Sequence, residues 1–246
     1  MIPSPIQWFQ FVFMPCPEPN SEDPTPMFTG IVQSKAKIID ATTTATGKRL
    51  TVERGLTCAV HHGDSICVSG VCLTAVAITD ESLSFDVIHE TLLKTSIGQL
   101  SAGDAVNLEP AVTPIQPMGG HFMQGHVDGL AVVDAIHTDG GEWRITLKPD
   151  SGPADLMDYI VPRGSVAIDG VSLTLARVSD DSFDVALIPA TLEMTTLGAR
   201  QPGDRVNIEA DILAKTIVHQ MQRMRGKPRE TQAVTTDLLR DAGFID

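Results

Sequence analysis

Apolar and polar residues alternate in short runs along most of the chain. Val, Ile, Leu and Thr fill these runs, and clusters of Gly, Asp, Asn or Ser interrupt them about every 8 to 12 residues. Because side chains on a strand alternate between its two faces, this pattern predicts half-buried β-strands joined by tight turns. The fold class is therefore all-β over most of its length.

The period changes after Ala210. Leu213, Ile217, Met221 and Met224 recur at helical spacing, which predicts an amphipathic helix over "ADILAKTIVHQMQRM". A terminal helix with one apolar stripe has to bury that stripe against a barrel or against another subunit.

The strand pattern occurs twice. "SICVSGVCLTAVAITDESLSFDV" from Ser65 aligns with "SVAIDGVSLTLARVSDDSFDV" from Ser165, and "ETLLKTSIGQLSAGDAVNLE" aligns with "ATLEMTTLGARQPGDRVNIE". A weaker match joins "FTGIVQSKAKII" from Phe28 to "MQGHVDGLAVVDAI" from Met123. Two domains follow, residues 27–117 and 118–210. Domains of this kind, about 90 residues long, close into small barrels or sandwiches because closure removes exposed strand edges.

Composition narrows the possible partners. Of the 246 residues, 42% are apolar and 20% are charged, as in an ordinary globular protein. The net charge of −13 disfavours nucleic acids and anionic membranes, since both are bound through basic patches. No apolar run reaches the roughly 20 residues that a membrane helix needs.

The cysteines and the N-terminus both indicate a cytoplasmic protein. Cys16, Cys58, Cys67 and Cys72 form no CxxC pair, which is typical of reduced thiols. The stretch "IQWFQFVFM" has the apolar character of a signal peptide, but no Lys or Arg precedes it and no small-residue cleavage site follows it. Residues 1–26 are interpreted as a disordered leader or as sequence upstream of the usual start.

A polar pair beside a glycine turn is the first candidate site. Alternation turns Leu173 towards the barrel interior and Ser172 and Thr174 outwards, and it does the same for Cys72 and Thr74 in the first copy. Seen once, such a pair is typical of a solvated face. Seen twice at equivalent places, it could form two similar pockets. Cys72 is then a candidate reactive thiol, although no base stands beside it in the sequence.

The remaining candidates have plain alternatives. Cys67 and Cys72 are five residues apart and would face opposite ways on a regular strand, and His121 and His126 diverge in the same way, so a metal site is disfavoured. His126 is either a general base or a surface residue. Asp169 suits the turn that it opens. The chain has no GxSxG, Walker A or GxGxxG motif.

Five motifs carry a resemblance to a known family. "MFTGIV" from Met27, "GVCLT" from Gly70, "GGHFMQGHVDG" from Gly119, "IDGVSLT" from Ile168 and "TTLG" from Thr195 closely resemble riboflavin synthase of the alpha-subunit type. The resemblance covers residues 27–224. It implies two tandem six-stranded antiparallel Greek-key β-barrels and a helix at residues 211–225 that holds a homotrimer together. The tail, residues 226–246, has no assigned role.

The resemblance also implies a reaction. Two molecules of 6,7-dimethyl-8-ribityllumazine dismutate, and one gives a four-carbon unit to the other. The products are riboflavin and 5-amino-6-ribitylamino-pyrimidinedione, and no metal or redox cofactor takes part. Each barrel is expected to hold one lumazine, and the working site is expected between the N-terminal barrel of one subunit and the C-terminal barrel of its neighbour.

The implied binding residues form one set for each barrel. The N-barrel set is Gly30, Ile31, Val32, Cys72, Leu73, Thr74, Asp86, Val87, Ile88, His89, Glu90 and Thr91. The C-barrel set is Gly125, His126, Val127, Arg163, Ser172, Leu173, Thr174, Ala186, Leu187, Ile188, Pro189, Ala190 and Thr191. Arg163 stands where the family has lysine, and Ala190 stands where it often has glutamate.

Catalysis requires the two pockets to differ, because one lumazine loses a proton from its C7 methyl group while the other accepts a nucleophile at C7. Cys72 and Ser172 supply that difference, since a thiol is more easily ionised and more nucleophilic than a hydroxyl. His126, or a pair formed by Ser172 and Asp169, is expected to manage protons.

Two alternatives share the fold. A lumazine or flavin antenna protein would bind without turnover, and a flavin-binding reductase barrel would need a nucleotide-binding partner domain. Both copies here keep a Gly-x-Cys/Ser-Leu-Thr core, which favours the enzyme.

Overall fold

Two closed barrels and one long helix make up the part of the chain that the computed structural model describes, residues 26–113, 115–139, 142–151 and 156–226. Each barrel has six antiparallel strands, and this confirms the predicted fold class. The predicted leader and tail lie outside the described residues except for residues 26 and 226. The division between residues 117 and 118 stays a prediction.

The first barrel has Greek-key order. Its strands are β1 (Ser34–Thr44), β2 (Gly47–Glu53), β3 (Ser65–Val68), β4 (Val71–Ile78), β5 (Ser82–Ile88) and β6 (Ala105–Pro110). They pair in the order β1-β2-β5-β4-β3-β6, and β6 closes back on β1. Helix α1 (His89–Lys94) and a 3₁₀ turn (Ser96–Gln99) connect β5 to β6. Leu50, Phe85 and Leu108 are fully buried in the core.

The second barrel repeats this order strand for strand. Its strands are β7 (Gly129–Asp139), β8 (Glu142–Ser151), β9 (Ser165–Ile168), β10 (Val171–Val178), β11 (Phe183–Leu187) and β12 (Arg205–Ala210). Helix α2 (Pro189–Met194) occupies the place of α1, and 3₁₀ turns precede β9 (Leu156–Tyr159) and β12 (Thr196–Ala199). The sequence repeat is therefore a structural repeat.

Side chains on β4 and β10 alternate between the barrel core and the outside, as predicted. On β10, Leu173 is buried in the barrel core, Ser172 is half-buried, and Thr174 is exposed. On β4, Cys72 is half-buried and Thr74 is exposed. Both polar pairs thus lie outside their barrels.

Two hairpin turns meet where the barrels pack together. Ser69 and Gly70 join β3 to β4 with φ of 44° and 87°, and Asp169 and Gly170 join β9 to β10 with φ of 47° and 78°. Positive φ at both central residues defines a tight hairpin turn that favours glycine. A Cβ atom placed on Gly70 would lie 2.9 Å from the backbone nitrogen of Gly170. Only glycine permits this approach.

Two asparagines link the barrels reciprocally. Asn107 on β6 donates from Nδ2 to the carbonyl of Asp169 at 2.9 Å, and its Oδ1 accepts from the backbone N–H of Thr196 at 2.8 Å. Asn207 on β12 donates from Nδ2 to the carbonyl of Ser69 at 2.7 Å. Both amides are buried, so these bonds satisfy polar groups that would otherwise be costly to bury.

The segments that open each repeat are exchanged between the barrels. The backbone N–H of Ser172, in the second barrel, donates to the carbonyl of Gly30 at 2.9 Å, and the N–H of Cys72, in the first barrel, donates to the carbonyl of Gly125 at 2.9 Å. We call residues 28–32 and 123–127 the exchanged segments. They put residues from both halves of the chain beside Cys72 and beside Ser172.

The last element is helix α3 (Ile212–Gly226). Lys215 anchors its first turn through an ion pair of 2.8 Å to Asp128. The predicted apolar stripe is present, and each of its side chains is at least half exposed: Leu213, Ile217, Met221 and Met224. Within the described ranges, no helix combines the length and apolar character needed to cross a membrane.

The meeting of the two turns predicts a difference between two glycine substitutions. Gly70 and Gly103 both have positive φ, but a Cβ on Gly103 meets nothing within 4 Å. Gly103→Ala should lower the free energy of unfolding by about 1 kcal/mol through backbone strain alone. Gly70→Ala should cost about 1–3 kcal/mol more, because the methyl group pushes the barrels apart. Urea unfolding at one fixed protein concentration measures both, and equal losses would contradict the close packing.

Candidate active site at the exchanged segments

Ser172 has a histidine partner. His121 Nδ1 lies 2.7 Å from Ser172 Oγ, and the imidazole is almost fully buried. This burial lowers the pKa of His121 below its ordinary value, so the ring is neutral near pH 7 and can take a proton. In the tautomer whose Nδ1 accepts, the pair has the geometry of a hydroxyl and its base.

Glycine allows His121 to approach. A Cβ on the preceding Gly120 would lie 2.0 Å from the carbonyl oxygen of Thr29 and 2.8 Å from Ser172 Cβ. The backbone N–H of His121 then donates to that same carbonyl at 3.2 Å. Sequence reasoning considered His121 only as a metal ligand, and the glycine pair before it was the available signal that backbone packs closely there.

Cys72 lies in the matching pocket without a histidine bonded to it among the described residues. A Cβ on Gly125 would lie 2.6 Å from Cys72 Cβ, so the exchanged backbone rests directly on this side chain. Burial raises the pKa of the Cys72 thiol, a hydrogen bond with Ser65 opposes the rise, and the charge of Glu209 adds to it. The resting group near pH 7 is therefore the thiol rather than the thiolate.

The exchanged segments correct the predicted contents of each pocket. Gly30 contacts Ser172, and Val32 packs in the core of the second barrel. Conversely, Gly125 contacts Cys72, and Val127 packs against the core of the first barrel. Gly30, Ile31 and Val32 thus belong with the Ser172 pocket, and Gly125, His126 and Val127 belong with the Cys72 pocket. Alignment of the repeats assigned each segment to its own domain, but packing exchanges them.

Asp169 has a different role from the predicted one. Its side chain is fully buried, accepting from Arg200 Nη2 at 2.7 Å and from the backbone N–H of Asn207 at 2.8 Å. Burial raises the pKa of this carboxyl, and the charge of Arg200 opposes the rise. These bonds hold the Asp169 turn against β12, so the carboxylate stabilises the turn and does not pair with Ser172.

His126 is exposed and lies on the exchanged segment beside Gly125. Its backbone therefore borders the Cys72 pocket, and its role as a base stays a prediction. Between the two histidines, only His121 has a hydrogen bond to Ser172 or Cys72 among the described residues.

Five of the predicted contact residues direct their side chains into the barrel cores: Val32, Leu73, Val87, Leu173 and Leu187. Only their backbones can reach a ligand. The strand ends nearby are open instead, with Ile88 57% and Ile188 64% exposed. The neighbouring residues are exposed too: His89, Ala186, Pro189 and Ala190. Thr91 and Thr191 are half-buried. Each strand end thus presents an exposed isoleucine, and we call these two places the apolar rims.

Two charged residues of the N-barrel set already have partners. Asp86 forms two bonds to Arg49, at 2.7 and 2.8 Å, and these lower the pKa of the carboxyl. Glu90 accepts from Lys94 at 2.8 Å, which lowers the Glu90 pKa. Ala190 has no such group, so the rim of the second barrel lacks this carboxylate.

Arg163 occupies a strained position. Its φ is 64°, and the matching residue of the first barrel is Gly63 with φ of 96°. Both donate their N–H to equivalent carbonyls, Arg163 to Leu175 on β10 and Gly63 to Ala75 on β4. A side chain in this left-handed region costs about 1–2 kcal/mol, and functional groups are a common reason for such strain.

The argument that Cys67 and Cys72 face opposite ways, and so cannot bind a metal together, was wrong. A turn separates Cys67 from Cys72, so the two are directly opposed on β3 and β4 and not on one regular strand. Both remain thiols. The described residues contain no cluster of three or more His, Cys, Asp or Glu side chains arranged to hold a metal ion.

Sequence reasoning also missed a buried carboxylate beside the Cys72 pocket. Glu209 is 3% exposed and accepts from the backbone N–H groups of Gln124 at 2.8 Å and Gly125 at 3.0 Å. Burial raises its pKa to about 7, although these bonds and the charge of Lys215 oppose the rise.

Comparison with known proteins identifies the class of domain. The family described as the lumazine binding domain matches residues 29–111 and 124–211. A crystal structure of LumP complexed with 6,7-dimethyl-8-(1'-D-ribityl) lumazine superposes with a TM-score of 0.65 at 26% identity, covering 74% of this chain and 98% of that one. The fold and the repeat thus define a protein with two lumazine-binding domains.

More similar sequences identify the family. Riboflavin synthase of Mycobacterium tuberculosis (strain ATCC 25618 / H37Rv) is 40% identical over 202 residues, which cover 80% of this chain and 98% of the relative. Riboflavin synthase of Escherichia coli (strain K12) is 39% identical over 200 residues, covering 80% and 93%. The chain belongs to the riboflavin synthase family.

The raised pKa of Glu209 predicts how stability depends on pH. The native state binds this proton more tightly than the unfolded chain, so the contribution is complete below pH 4.5 and is lost as pH rises through about 7. Each pKa unit corresponds to about 1.4 kcal/mol. As the pH rises from 4.5 to 8, the free energy of unfolding should therefore fall by up to about 3 kcal/mol more in the unmodified protein than in Glu209→Gln. Denaturant titrations between pH 4.5 and 8 measure this difference.

The exposed Glu193→Gln provides the control and should leave the pH profile unchanged. Parallel profiles for the unmodified protein and Glu209→Gln would contradict the raised pKa.

Proposed function

We propose that one lumazine binds against Cys72 and another against Ser172, and that these two pockets of unequal chemistry perform the reaction of the family. Family membership makes the chain an enzyme, a riboflavin synthase. This transferase moves a four-carbon unit between two molecules of 6,7-dimethyl-8-ribityllumazine, giving riboflavin and 5-amino-6-ribitylamino-pyrimidinedione. The single observation behind the pocket assignment is the duplicated strand with Cys72 in one barrel and Ser172, bonded to His121, in the other.

Each lumazine would lie outside its barrel, between the nucleophile strand and an exchanged segment. Thr74 and Thr174 are exposed two residues beyond the nucleophiles and can bond polar ring atoms. The apolar rims at Ile88 and Ile188 can cover the ring faces. The ribityl lumazine complex of LumP, a protein of similar fold, supports this class of ligand.

The two pockets suit the two halves of the chemistry. In the Ser172 pocket, neutral His121 can accept a proton from the lumazine C7 methyl group, directly or through the Ser172 hydroxyl, and so produce the donor anion. In the other pocket, the sulfur of Cys72 can add at C7 of the acceptor. As the C–S bond forms, the ring system takes up the electron pair and the thiol proton passes to it, since burial keeps the thiol protonated beforehand and the adduct is then neutral. Holding two rings in contact supplies further acceleration by proximity.

Arg163 is proposed as a cation at the edge of the second pocket. Its left-handed backbone is strained, whereas the first barrel has glycine at the matching place. The guanidinium keeps the positive charge of the lysine expected there, with a planar fork of donors.

We also propose a homotrimer and a cytoplasmic location. The stripe on α3 is supporting evidence for the trimer, because four adjacent apolar side chains that are at least half exposed need a covering surface. A second copy of the chain is the proposed cover, with the pocket of one subunit completed by its neighbour. The thiol state of Cys67 and Cys72 agrees with a reducing compartment.

Turnover tests the enzyme and its nucleophile. The protein mixed with 6,7-dimethyl-8-ribityllumazine should form riboflavin, followed by absorbance and fluorescence. Cys72→Ser should lower kcat by about 100-fold or more, because the hydroxyl is a far weaker nucleophile, and His121→Asn should lower it by a similar factor through loss of the base. Cys58→Ser, outside both pockets, is the matched control. Tight binding without any riboflavin would instead favour the antenna protein.

The size of the protein in solution tests the trimer. Ile217→Asp places a charge in the apolar stripe and should convert a trimer to smaller species, because burying an unpaired carboxylate is costly. His219→Asp adds the same residue about 200° away around the helix and should remain trimeric. Light scattering after gel filtration gives the mass. A monomeric unmodified protein, or equal masses for both variants, would contradict the proposal.

A further inference from the structure

Two buried glutamates hold the exchanged segments. Glu109 on β6 accepts the backbone N–H and the hydroxyl of Thr29 with Oε1, both at 2.7 Å, and the N–H of Gly30 with Oε2 at 2.9 Å. Glu209 on β12 accepts the N–H groups of Gln124 and Gly125 at 2.8 and 3.0 Å. Both side chains are 3% exposed. In their ionised form, buried carboxylates bound to backbone N–H groups make charge-assisted hydrogen bonds, which are among the stronger ones in proteins.

Each held glycine reaches the nucleophile of the opposite barrel. Gly30 gives its N–H to Glu109 of the first barrel and accepts at its carbonyl from Ser172 of the second. Gly125 gives its N–H to Glu209 of the second barrel and accepts from Cys72 of the first. One peptide segment therefore joins each carboxylate to a nucleophile that lies in the other barrel.

Each exchanged segment packs closely against the side chain of Ser172 or Cys72. A Cβ on Gly30 would lie 2.6 Å from Ser172 Cβ, and a Cβ on Gly125 would lie 2.6 Å from Cys72 Cβ. Glycine backbone is thus packed directly against each reactive side chain. A shift of either segment by a fraction of an ångström would change the exposure and orientation of the nucleophile beneath it.

We propose that Glu109 and Glu209 are crossed positioning residues: Glu109, in the first barrel, sets the geometry at Ser172, and Glu209, in the second, sets the geometry at Cys72. Neither carboxylate bonds to a nucleophile itself. Each acts through a glycine whose two backbone groups bond on opposite sides.

The surroundings of the two carboxylates differ. Glu209 faces the ion pair of Lys215 and Asp128, and Cys72 lies near its charge. Cys67 lies near the charges of both glutamates. Glu109 takes its described hydrogen bonds from Thr29 and Gly30. Because each glutamate bonds to its own exchanged segment, a change at one should leave the hydrogen bonds of the other in place.

Thiol labelling tests the crossing without any substrate. Iodoacetamide modification of Cys72, located by peptide mass spectrometry and measured over a pH range so that the rate refers to the thiolate, should be about tenfold faster in Glu209→Gln than in the unmodified protein, because the amide nitrogen cannot accept one of the two N–H bonds. In Glu109→Gln, the same rate should change by less than about twofold, since Glu209 still accepts both N–H bonds from the segment over Cys72.

The reciprocal experiment uses Cys72→Ser combined with Ser172→Cys. The thiol introduced at position 172 should now react about tenfold faster with Glu109→Gln and keep its rate with Glu209→Gln. Equal effects of both glutamate variants on both thiols, or no effect of either, would overturn the proposal. A residue that merely stabilises the fold would loosen both sites together and would not produce the crossed pattern.

Hydrogen exchange supplies a second measurement. Peptides covering residues 123–127 should exchange faster in Glu209→Gln, and those covering residues 28–32 should exchange faster in Glu109→Gln. If a glutamine variant does not fold, Glu→Asp at the same position keeps the charge but shortens the reach, and the same crossed pattern is required of it. Exchange that rises throughout both barrels would overturn the proposal.

Turnover adds an arm that rests on the proposed function. Each glutamine variant should lower kcat by about tenfold with less than about a twofold change in KM, because the nucleophile is misplaced while most ligand contacts remain. Kinetics unaffected in variants that show the crossed labelling would overturn the catalytic consequence. The labelling result stands by itself if the chain makes no riboflavin.

Discussion

The close contact between the two hairpin turns is the constraint on which the rest of the structure depends. Gly70 and Gly170 lie backbone against backbone, and a methyl group on either would meet the other at under 3 Å. This contact brings β6 and β12 near the opposite barrel, where Asn107 and Asn207 bond across the interface. It also lets each exchanged segment reach a nucleophile strand that belongs to the other half of the chain.

The features that depend on local sequence were predictable. The period of two placed Leu173 inside and Thr174 outside correctly, and the helical spacing located α3 and its stripe, because both rules need only neighbouring residues. The repeat likewise predicted two similar β-domains, which the family resemblance specified as barrels. Even the glutamates follow this rule: Glu109 alternates with the core residue Leu108 and so faces away from its own barrel.

The features that depend on packing between the repeats were not predictable in this way. His121 and Ser172 are 51 residues apart, and their bond exists only because the segment after the first barrel folds over the second. Asp169 occupies a turn in either case, but only the position of β12 and Arg200 decides that its carboxylate points away from Ser172. The exchange of segments is invisible to an alignment of the repeats, because both arrangements preserve the same internal similarity.

The exchange also affects how the protein matures during synthesis. The ribosome completes the first barrel before the second, and domains generally fold in that order. Yet Cys72 is not covered until Gly125 has emerged, and the carboxylate that holds Gly125 lies still later, at Glu209. The nascent first barrel therefore carries an uncovered thiol and an unfinished binding surface. The Cys72 pocket is thus the first to begin forming, but it is complete only when the last strand, β12, has been synthesised.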